Sequence, residues 1–152
     1  MKLWLLRHGE AAPRARSDAE RPLTDYGRAQ VLQSAERLRN RQLTRVLVSP
    51  YLRAQQTAEL LRETLQLTVP FSTVDWITPD DDPRRVMRQL DDYPADEYVL
   101  VSHNPLLGAL AGLLVHGHLQ LPMSLHTASL VELDGELPMA GAMRLAGLHH
   151  AY

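Results

Sequence analysis

Three short apolar runs along the chain end abruptly in polar or charged residues. The first, Lys2 to Leu6, does not alternate between apolar and polar positions, which is typical of a strand buried on both faces of a sheet. The runs Arg45 to Pro50 and Tyr98 to Pro105 repeat this design, since each is rich in β-branched residues and stops at a proline. The pattern therefore predicts three buried strands.

Helical periodicity fills the intervals between and after these strands. In the first interval Thr24 can cap a helix, and Val31, Leu32 and Ala35 fall on one face of it. The predicted helices are Thr24 to about Asn40, Tyr51 to Leu65, Arg84 to about Asp91 with Pro83 at its first position, and Leu106 to Val115. Strands that alternate with helices predict a parallel sheet with right-handed crossovers.

The last part of the chain no longer alternates between strand and helix patterns. Ala128 to Leu133, a turn at Asp134-Gly135, and Ala142 to Leu148 predict antiparallel strands added to the sheet. The expected fold class is α/β: a three-layer α/β/α sandwich with a mainly parallel central sheet and antiparallel strands toward the C-terminus. No linker or repeat divides the chain, so we expect residues 1–152 to form a single domain.

Composition limits what the chain can do. Its 152 residues, 45% of them hydrophobic, are enough for one sizeable core. The formal charge of −2 gives no reason to expect a nucleic-acid partner. The chain has no cysteine, which excludes disulfides, thiolate nucleophiles and Cys-ligated metals, and favours a reducing compartment.

Neither of the most apolar segments resembles a signal peptide or a membrane span. The run Leu3 to Leu6 is too short for the apolar part of a signal peptide. Leu106 to Val115 is well short of the roughly twenty residues that a membrane-spanning helix needs. We therefore expect a cytoplasmic protein that does not associate with membranes.

Charged and polar side chains follow each predicted strand. The first strand leads into Arg7-His8-Gly9, the second into Ser49-Pro50 with Arg53 close behind, and the third into Ser102-His103-Asn104. In an open parallel sheet, ligands bind beyond the carboxyl ends of the strands, where helix N-termini also point. Two arginines and two histidines would then surround one small volume, which predicts a phosphate site.

The same cluster supplies a candidate nucleophile. Without cysteine and without an evident Ser–His–Asp order, the imidazoles are the nucleophile candidates in the cluster. His8 stands beside Gly9, which lets the backbone approach a phosphoryl group closely. His103 is positioned to donate a hydrogen bond to phosphoryl oxygens, as Arg7 and Arg53 are.

Four segments carry a resemblance to a known family. Leu6 to Glu10 resembles the RHG signature of the histidine phosphatase superfamily, also called phosphoglycerate-mutase-like, and Val101 to His103 resembles its second-histidine strand. Leu23 to Gly27 is similar to the family's L-T-x-x-G helix start, and Ser49 to Ala58 to its S-P-x-x-R-A-x-x-T-A segment. The chain's length and Ser17 to Thr24 look most like the SixA-type protein-histidine phosphatases.

The resemblance implies roles for individual residues. His8 would be phosphorylated transiently, while Arg7, Arg53 and His103 hold the phosphoryl group. Arg21 would be a further phosphate or substrate contact. Gly9 and Ser102 complete the candidate phosphate-binding residues. The family's chemistry needs no metal or cofactor, so we expect none.

The general acid of the larger family members has no obvious counterpart. The corresponding region, Val74 to Pro79, contains no glutamate, although Asp75 or Glu10 could serve. An imidazole leaving group, whose conjugate acid has a pKa of about 6.5, needs little help from an acid. We therefore expect the substrate to be phosphohistidine on a protein of a phosphorelay or phosphotransfer system.

Two other functions remain open at this point. One is a phosphatase or mutase for a small phosphoester, with Asp75 or Glu10 as the acid. The other is an inactive module that binds phosphoproteins, although such a module would have no need of the nucleophile His8.

Several other residues have a simpler structural interpretation or none. His116-Gly117-His118 is more typical of an exposed loop than of a metal site, and Asp80 to Asp82 is explained as a helix cap. His126, His149 and His150 are given no role. The sequence also leaves open whether His8 would attack through Nδ1 or Nε2.

Overall fold

The computed structural model describes residues 1–152 and is built around one mixed sheet. Its strands are β1 (Lys2–Arg7), β2 (Arg45–Val48), β3 (Phe71–Thr73), β4 (Glu97–Ser102), β5 (Leu130–Asp134) and β6 (Arg144–His149). Its helices are α1 (Asp25–Ala35), α2 (Leu52–Leu65), α3 (Pro83–Leu90) and α4 (Leu106–His116), with short 3₁₀ turns at Asp18–Glu20 and Glu36–Leu38.

The sheet has six strands in the order β3-β2-β4-β1-β5-β6. β3, β2, β4 and β1 run parallel, while β5 and β6 are antiparallel additions at one side. Arg7 pairs with Ser102, and Val48 pairs with Val101. The carboxyl ends of β1, β4 and β2 therefore lie side by side at one edge of the sheet.

The buried residues divide into two layers of core, one on each face of the sheet. Leu3 and Leu5 of β1 pack with residues of α3 and α4. Trp4 and Leu6, which point the other way, pack with residues of α1 and α2. This alternation is what a strand buried on both faces requires. The predicted three-layer α/β/α sandwich is confirmed.

The first helix is shorter than predicted and buries different residues. α1 ends at Ala35, and the chain continues in a 3₁₀ turn rather than as helix to Asn40. Leu32, which the pattern places inward, is 44% exposed, whereas Gln30 and Ser34 are buried. Their burial costs little because both side chains are hydrogen-bonded, Gln30 Oε1 accepting from the backbone of Glu10.

Other element boundaries differ from the prediction for local reasons. β3 was not predicted: it has three residues, pairs only with β2, and has no residue that is fully buried. β5 begins at Leu130 rather than Ala128, because Ala128 has a left-handed backbone with φ of 58° that interrupts extended structure. The Asp82 side chain caps α3 at the backbone N–H of Arg84, as predicted.

α4 is apolar nearly all round because it packs closely against the segment that follows it. A Cβ atom on Gly108 would lie 2.5 Å from the carbonyl oxygen of Met123. A Cβ atom on Gly112 would overlap the carbonyl oxygen of Leu121. The two glycines therefore serve close packing. No helix of the protein is both long and apolar enough to cross a membrane.

Candidate active site

The aligned strand ends bring the predicted arginines and histidines together. Arg7 is the last residue of β1 and His8 follows it, His103 follows β4, and Arg53 lies in the first turn of α2 after β2. The ring centroids of His8 and His103 are 5.1 Å apart. His8, Arg53 and His103 are only 6%, 3% and 1% exposed. The fold thus builds a buried cationic site from distant parts of the chain.

The hydrogen bonds of His8 fix its tautomer. His8 Nδ1 lies 2.7 Å from the backbone oxygen of Gly9, which can only accept, so Nδ1 carries the proton. Nε2 therefore has the free lone pair, and Arg53 Nε donates to it at 3.2 Å. Nε2 is the nitrogen that can act as a nucleophile, which answers a question that the sequence leaves open.

Burial and positive charge keep both imidazoles neutral. Burial, followed by the charges of Arg53 and Arg7, lowers the pKa of His8 to about 4 despite the hydrogen bond to Gly9, which acts in the opposite direction. Burial, followed by His8 and Arg53, lowers the pKa of His103 to about 2. At neutral pH the site combines two guanidinium cations with two neutral imidazoles.

Two buried polar atoms in the protein have no hydrogen-bond partner, and both belong to this site. They are Arg7 Nε and His103 Nδ1. Arg7 is held at its other end, where Nη1 donates to the backbone oxygen of Leu125 at 2.9 Å. Arg7 Nε is a donor, and leaving a buried donor unpaired is costly, so a ligand that accepts from it would be favoured. An anion with several oxygens fits this requirement.

Asp18 completes the site and was missed by the sequence analysis. The distal nitrogens of Arg53 donate to the backbone oxygen of Asp18 at 2.6 Å and to its carboxylate at 3.2 Å. Arg21 donates from Nε to the same carboxylate at 2.9 Å. Burial raises the pKa of Asp18, but the hydrogen bonds from Arg21 and Arg53 outweigh this and lower it. Asp18 thus joins Arg21, a predicted substrate contact, to Arg53.

Gly9 and Ser102 are at the site, but their polar groups are already used. The Gly9 N–H donates to Thr57 Oγ1 at 3.2 Å, and Ser102 Oγ donates to the backbone oxygen of Ile77 at 2.6 Å. Close packing also requires a glycine at position 9, since a Cβ atom there would overlap the carbonyl oxygen of Gly27; the expected approach to phosphate stays a prediction. A Cβ on Gly27 would in turn overlap the carbonyl of Glu10.

The two candidate acids point elsewhere. The Asp75 side chain is 85% exposed and lies 3.6 Å from Arg85. Glu10 accepts a hydrogen bond from Thr24 Oγ1 at 2.8 Å, beside the start of α1. No hydrogen bond or ion pair joins either carboxylate to His8, Arg53 or His103. The structure therefore brings the predicted arginines and histidines together but leaves both acids outside their hydrogen-bond network.

The remaining histidines lie outside the cluster of Arg7, His8, Arg53 and His103. His116 and His118 flank Gly117, which ends α4 with a left-handed backbone, and both are largely exposed. His126 and His150 stack with ring centroids 4.1 Å apart. No group of three or more His, Asp or Glu side chains is placed to hold a metal ion.

Two buried histidines among arginines, at the carboxyl edge of a mainly parallel sheet, form the kind of site that an enzyme of phosphoryl transfer needs, and the chain belongs to the histidine phosphatase superfamily. The model of its branch 1 matches residues 3–75. Phosphohistidine phosphatase SixA of Escherichia coli (strain K12) is 33% identical over 139 residues, which cover 88% of this chain and 86% of that protein.

Two further comparisons agree. A SixA homolog from Haemophilus influenzae is 33% identical over 145 residues, covering 88% of this chain and 87% of the homolog. The structure of the protein histidine phosphatase SixA complexed with tungstate superposes with a TM-score of 0.88 at 29% identity, and the match covers 99% of this chain and 97% of that one. The similarity spans the whole sandwich.

Proposed function

We propose that the protein is a metal-independent phosphatase that removes phosphate from phosphohistidine on a phosphorelay or phosphotransfer protein. The observation that carries this proposal is the unprotonated Nε2 of His8, which is buried beside Arg53 in a site where Arg7 Nε and His103 Nδ1 have no hydrogen-bond partner. Relatives that are named phosphohistidine phosphatases support the choice of substrate.

The proposed reaction has two steps. In the first, the lone pair of His8 Nε2 attacks phosphorus in line, forming a new N–P bond while the N–P bond of the substrate breaks. The substrate ring carries a proton on its other nitrogen, so it takes the electron pair of the broken bond and leaves as neutral imidazole. In the second step, water attacks phosphorus, the bond to His8 breaks, and inorganic phosphate is released together with neutral His8.

The arginines and His103 stabilise charge on the transferring oxygens in both steps. When a phosphoryl group occupies the space at His8 Nε2, Arg53 Nε is released to donate to one of its oxygens. Arg7 Nε and His103 Nδ1 then gain acceptors that the protein does not provide. Fixed donors of this kind are effective because they do not reorganise during the reaction.

The position of the acidic residues favours a phosphohistidine substrate over a phosphoester. An alkoxide leaving group needs a proton during bond cleavage, whereas imidazole does not. Asp75 and Glu10 are both engaged away from His8. Asp18 does lie at the site, but its lowered pKa makes it a poor proton donor.

The surface beside the site suits a protein substrate. A depression next to Asp18 and Arg21 is lined by the polar segment that carries them, including the exposed Arg14. The guanidinium groups that line this depression can form ion pairs with acidic side chains around the phosphohistidine of a partner protein. The identity of that partner and the cytoplasmic location expected from the sequence stay predictions.

The test compares phosphate release from a phosphohistidine-bearing phosphotransfer protein and from para-nitrophenyl phosphate, both in EDTA. We expect rapid release from the phosphoprotein, slow release from the ester, and loss of both with His8→Ala. His118→Ala, which removes an exposed histidine in the turn after α4, is the matched control and should retain full activity.

Different outcomes would replace the proposal. Preference for the ester would assign the protein to small-molecule phosphatases. Tight binding of the phosphoprotein without turnover would indicate a binding module. Quenching a reaction with ³²P-labelled substrate should trap acid-labile phosphate on wild type but not on His8→Ala, and its absence from wild type would exclude the covalent intermediate.

A further inference from the structure

The side chain of Ser49 contacts His103 at the floor of the site. Ser49 is the last residue before the Pro50 that ends the β2 run, and it is fully buried. Its Oγ lies 2.7 Å from His103 Nε2. The backbone N–H of Tyr51 donates to the same Oγ at 3.3 Å. Ser49 therefore sits between a backbone donor and an imidazole nitrogen.

Counting protons distinguishes the two neutral tautomers of His103. If Nε2 carried the proton, Ser49 Oγ would accept from both Tyr51 and His103, and its own buried hydroxyl proton would have no acceptor. If Nδ1 carries the proton, Ser49 accepts from Tyr51 and donates to Nε2, so the Ser49 hydroxyl and His103 Nε2 are both paired, and the one group without a protein partner is the Nδ1–H. Buried hydroxyl groups are rarely left unpaired.

The second arrangement leaves one buried donor without an acceptor in the protein. Nδ1 of His103 is buried without a protein partner, and the ring lies beside that of His8. A protonated Nδ1 would donate to a phosphoryl oxygen. A bare Nδ1 would instead direct a lone pair at the same anion and repel it.

We propose that Ser49 is a positioning residue that holds His103 in the Nδ1–H tautomer, so that this ring presents a donor to the phosphoryl group. The assignment of that donor to catalysis rests on the proposed function. The tautomer itself is a property of the protein alone and can be measured without substrate.

The lowered pKa of His103 supports this inference, because a histidine ring has two alternative tautomers only while it is neutral. The groups that face the ring are His8, Tyr51 and Ser49, together with the charges of Arg53, Arg7 and Asp18. None of them other than Ser49 makes a hydrogen bond to a nitrogen of His103. Ser49 is therefore the side chain that selects the tautomer.

The experiment is long-range ¹H–¹⁵N correlation NMR of the histidine rings at neutral pH, with the His103 signals assigned by their loss in His103→Gln. In wild type, Nδ1 should show the shift of a protonated nitrogen and Nε2 that of an unprotonated one. Added tungstate should move the Nδ1 signal more than the Nε2 signal.

Variants then test Ser49 itself. In Ser49→Ala the Nε2–H tautomer should become substantially populated, and kcat with the phosphoprotein should fall about tenfold. Ser49→Thr, which keeps the hydroxyl, should restore the wild-type tautomer. Ser102→Ala removes a second buried strand-end hydroxyl at the same edge, bonded to Ile77 rather than to an imidazole, and should leave the tautomer of His103 unchanged.

The inference fails if wild-type His103 carries its proton on Nε2, a result that needs no variant to fold. It also fails if Ser49→Ala folds and keeps the Nδ1–H tautomer. If wild-type His103 has the expected tautomer but the protein turns over no phosphoprotein, the proposed function is overturned while the role of Ser49 stands.

Discussion

The low pKa of His8 leads to a prediction about pH that sequence alone would not give. Lowering the pH protonates a histidine nucleophile and abolishes its attack on phosphorus. An ordinary histidine with a pKa of 6.5 would already be mostly protonated at pH 5.5. His8, whose pKa is about 4, should remain neutral there.

The magnitude follows from the shift. At pH 5.5, a pKa of about 4 leaves about 97% of His8 neutral, whereas a pKa of 6.5 would leave about 9%. The difference is about tenfold in competent enzyme. In free energy, a shift from 6.5 to about 4 corresponds to about 3 kcal/mol of preference for the neutral ring.

The direct assay is an NMR titration of the His8 ring from pH 3.5 to 8, assigned by comparison with His8→Gln. We expect no titration of His8 above pH 5.5. Removing the positive charge of Arg53 with Arg53→Gln should raise the pKa only in part, because burial is the larger cause. A wild-type midpoint near 6.5 would refute the argument from burial and charge.

The same shift makes folding stability depend on pH. Between the pKa of the folded state and 6.5, the unfolded chain binds a proton at His8 that the folded chain does not. The free energy of unfolding should therefore rise with pH across this window. At the acidic end of the window, the low pKa of His8 should lower this free energy by about 3 kcal/mol. Urea unfolding at pH 4.5 and 7 should show this contribution, reduced in His8→Gln.

Three further predictions concern the contacts of the site. Asp18→Ala should remove the carboxylate bond to Arg53 Nη2, while the bond from Nη1 to the backbone oxygen stays, and should lower kcat/KM about tenfold; Asp18→Asn, which keeps a side-chain acceptor, should lose much less, and equal losses would argue against positioning by hydrogen bonding. Gly27→Ala should destabilise the fold by about 1–3 kcal/mol in urea unfolding, because its added carbon overlaps the carbonyl of Glu10; an unchanged midpoint would contradict this. Glu10→Gln and Asp75→Asn should each change phosphohistidine turnover by less than about threefold, and a large loss in either would identify a general acid.

The main cluster was predictable because the sequence marks strand ends strongly. Arg7, His8 and His103 each follow an apolar run buried on both faces, and parallel strands bring such ends to one edge. The same logic placed Arg53 one turn into the next helix. Local patterns were therefore sufficient to predict which elements carry these residues and at which edge they meet.

The remaining features depend on contacts that no local pattern encodes. Asp18 lies in a polar segment without buried residues, and its importance comes from reaching Arg53, 35 positions along the chain. β3 is too short and too polar to produce a strand pattern. Leu32 was misplaced because periodicity takes no account of Gln30 and Ser34, whose hydrogen bonds allow them to be buried instead.

The position of β1 within the sheet determines how the site responds to stress. β1 is hydrogen-bonded on both sides, to β4 and β5, and the backbone N–H of His8 continues this pairing to Ser102. Amide hydrogens along β1 should therefore exchange with solvent only when the whole protein unfolds, whereas the turn that carries Asp18 should open far more often. Mild heating should then disturb the alignment of Arg53 while His8 stays in place, and the activity lost in this way should return on cooling.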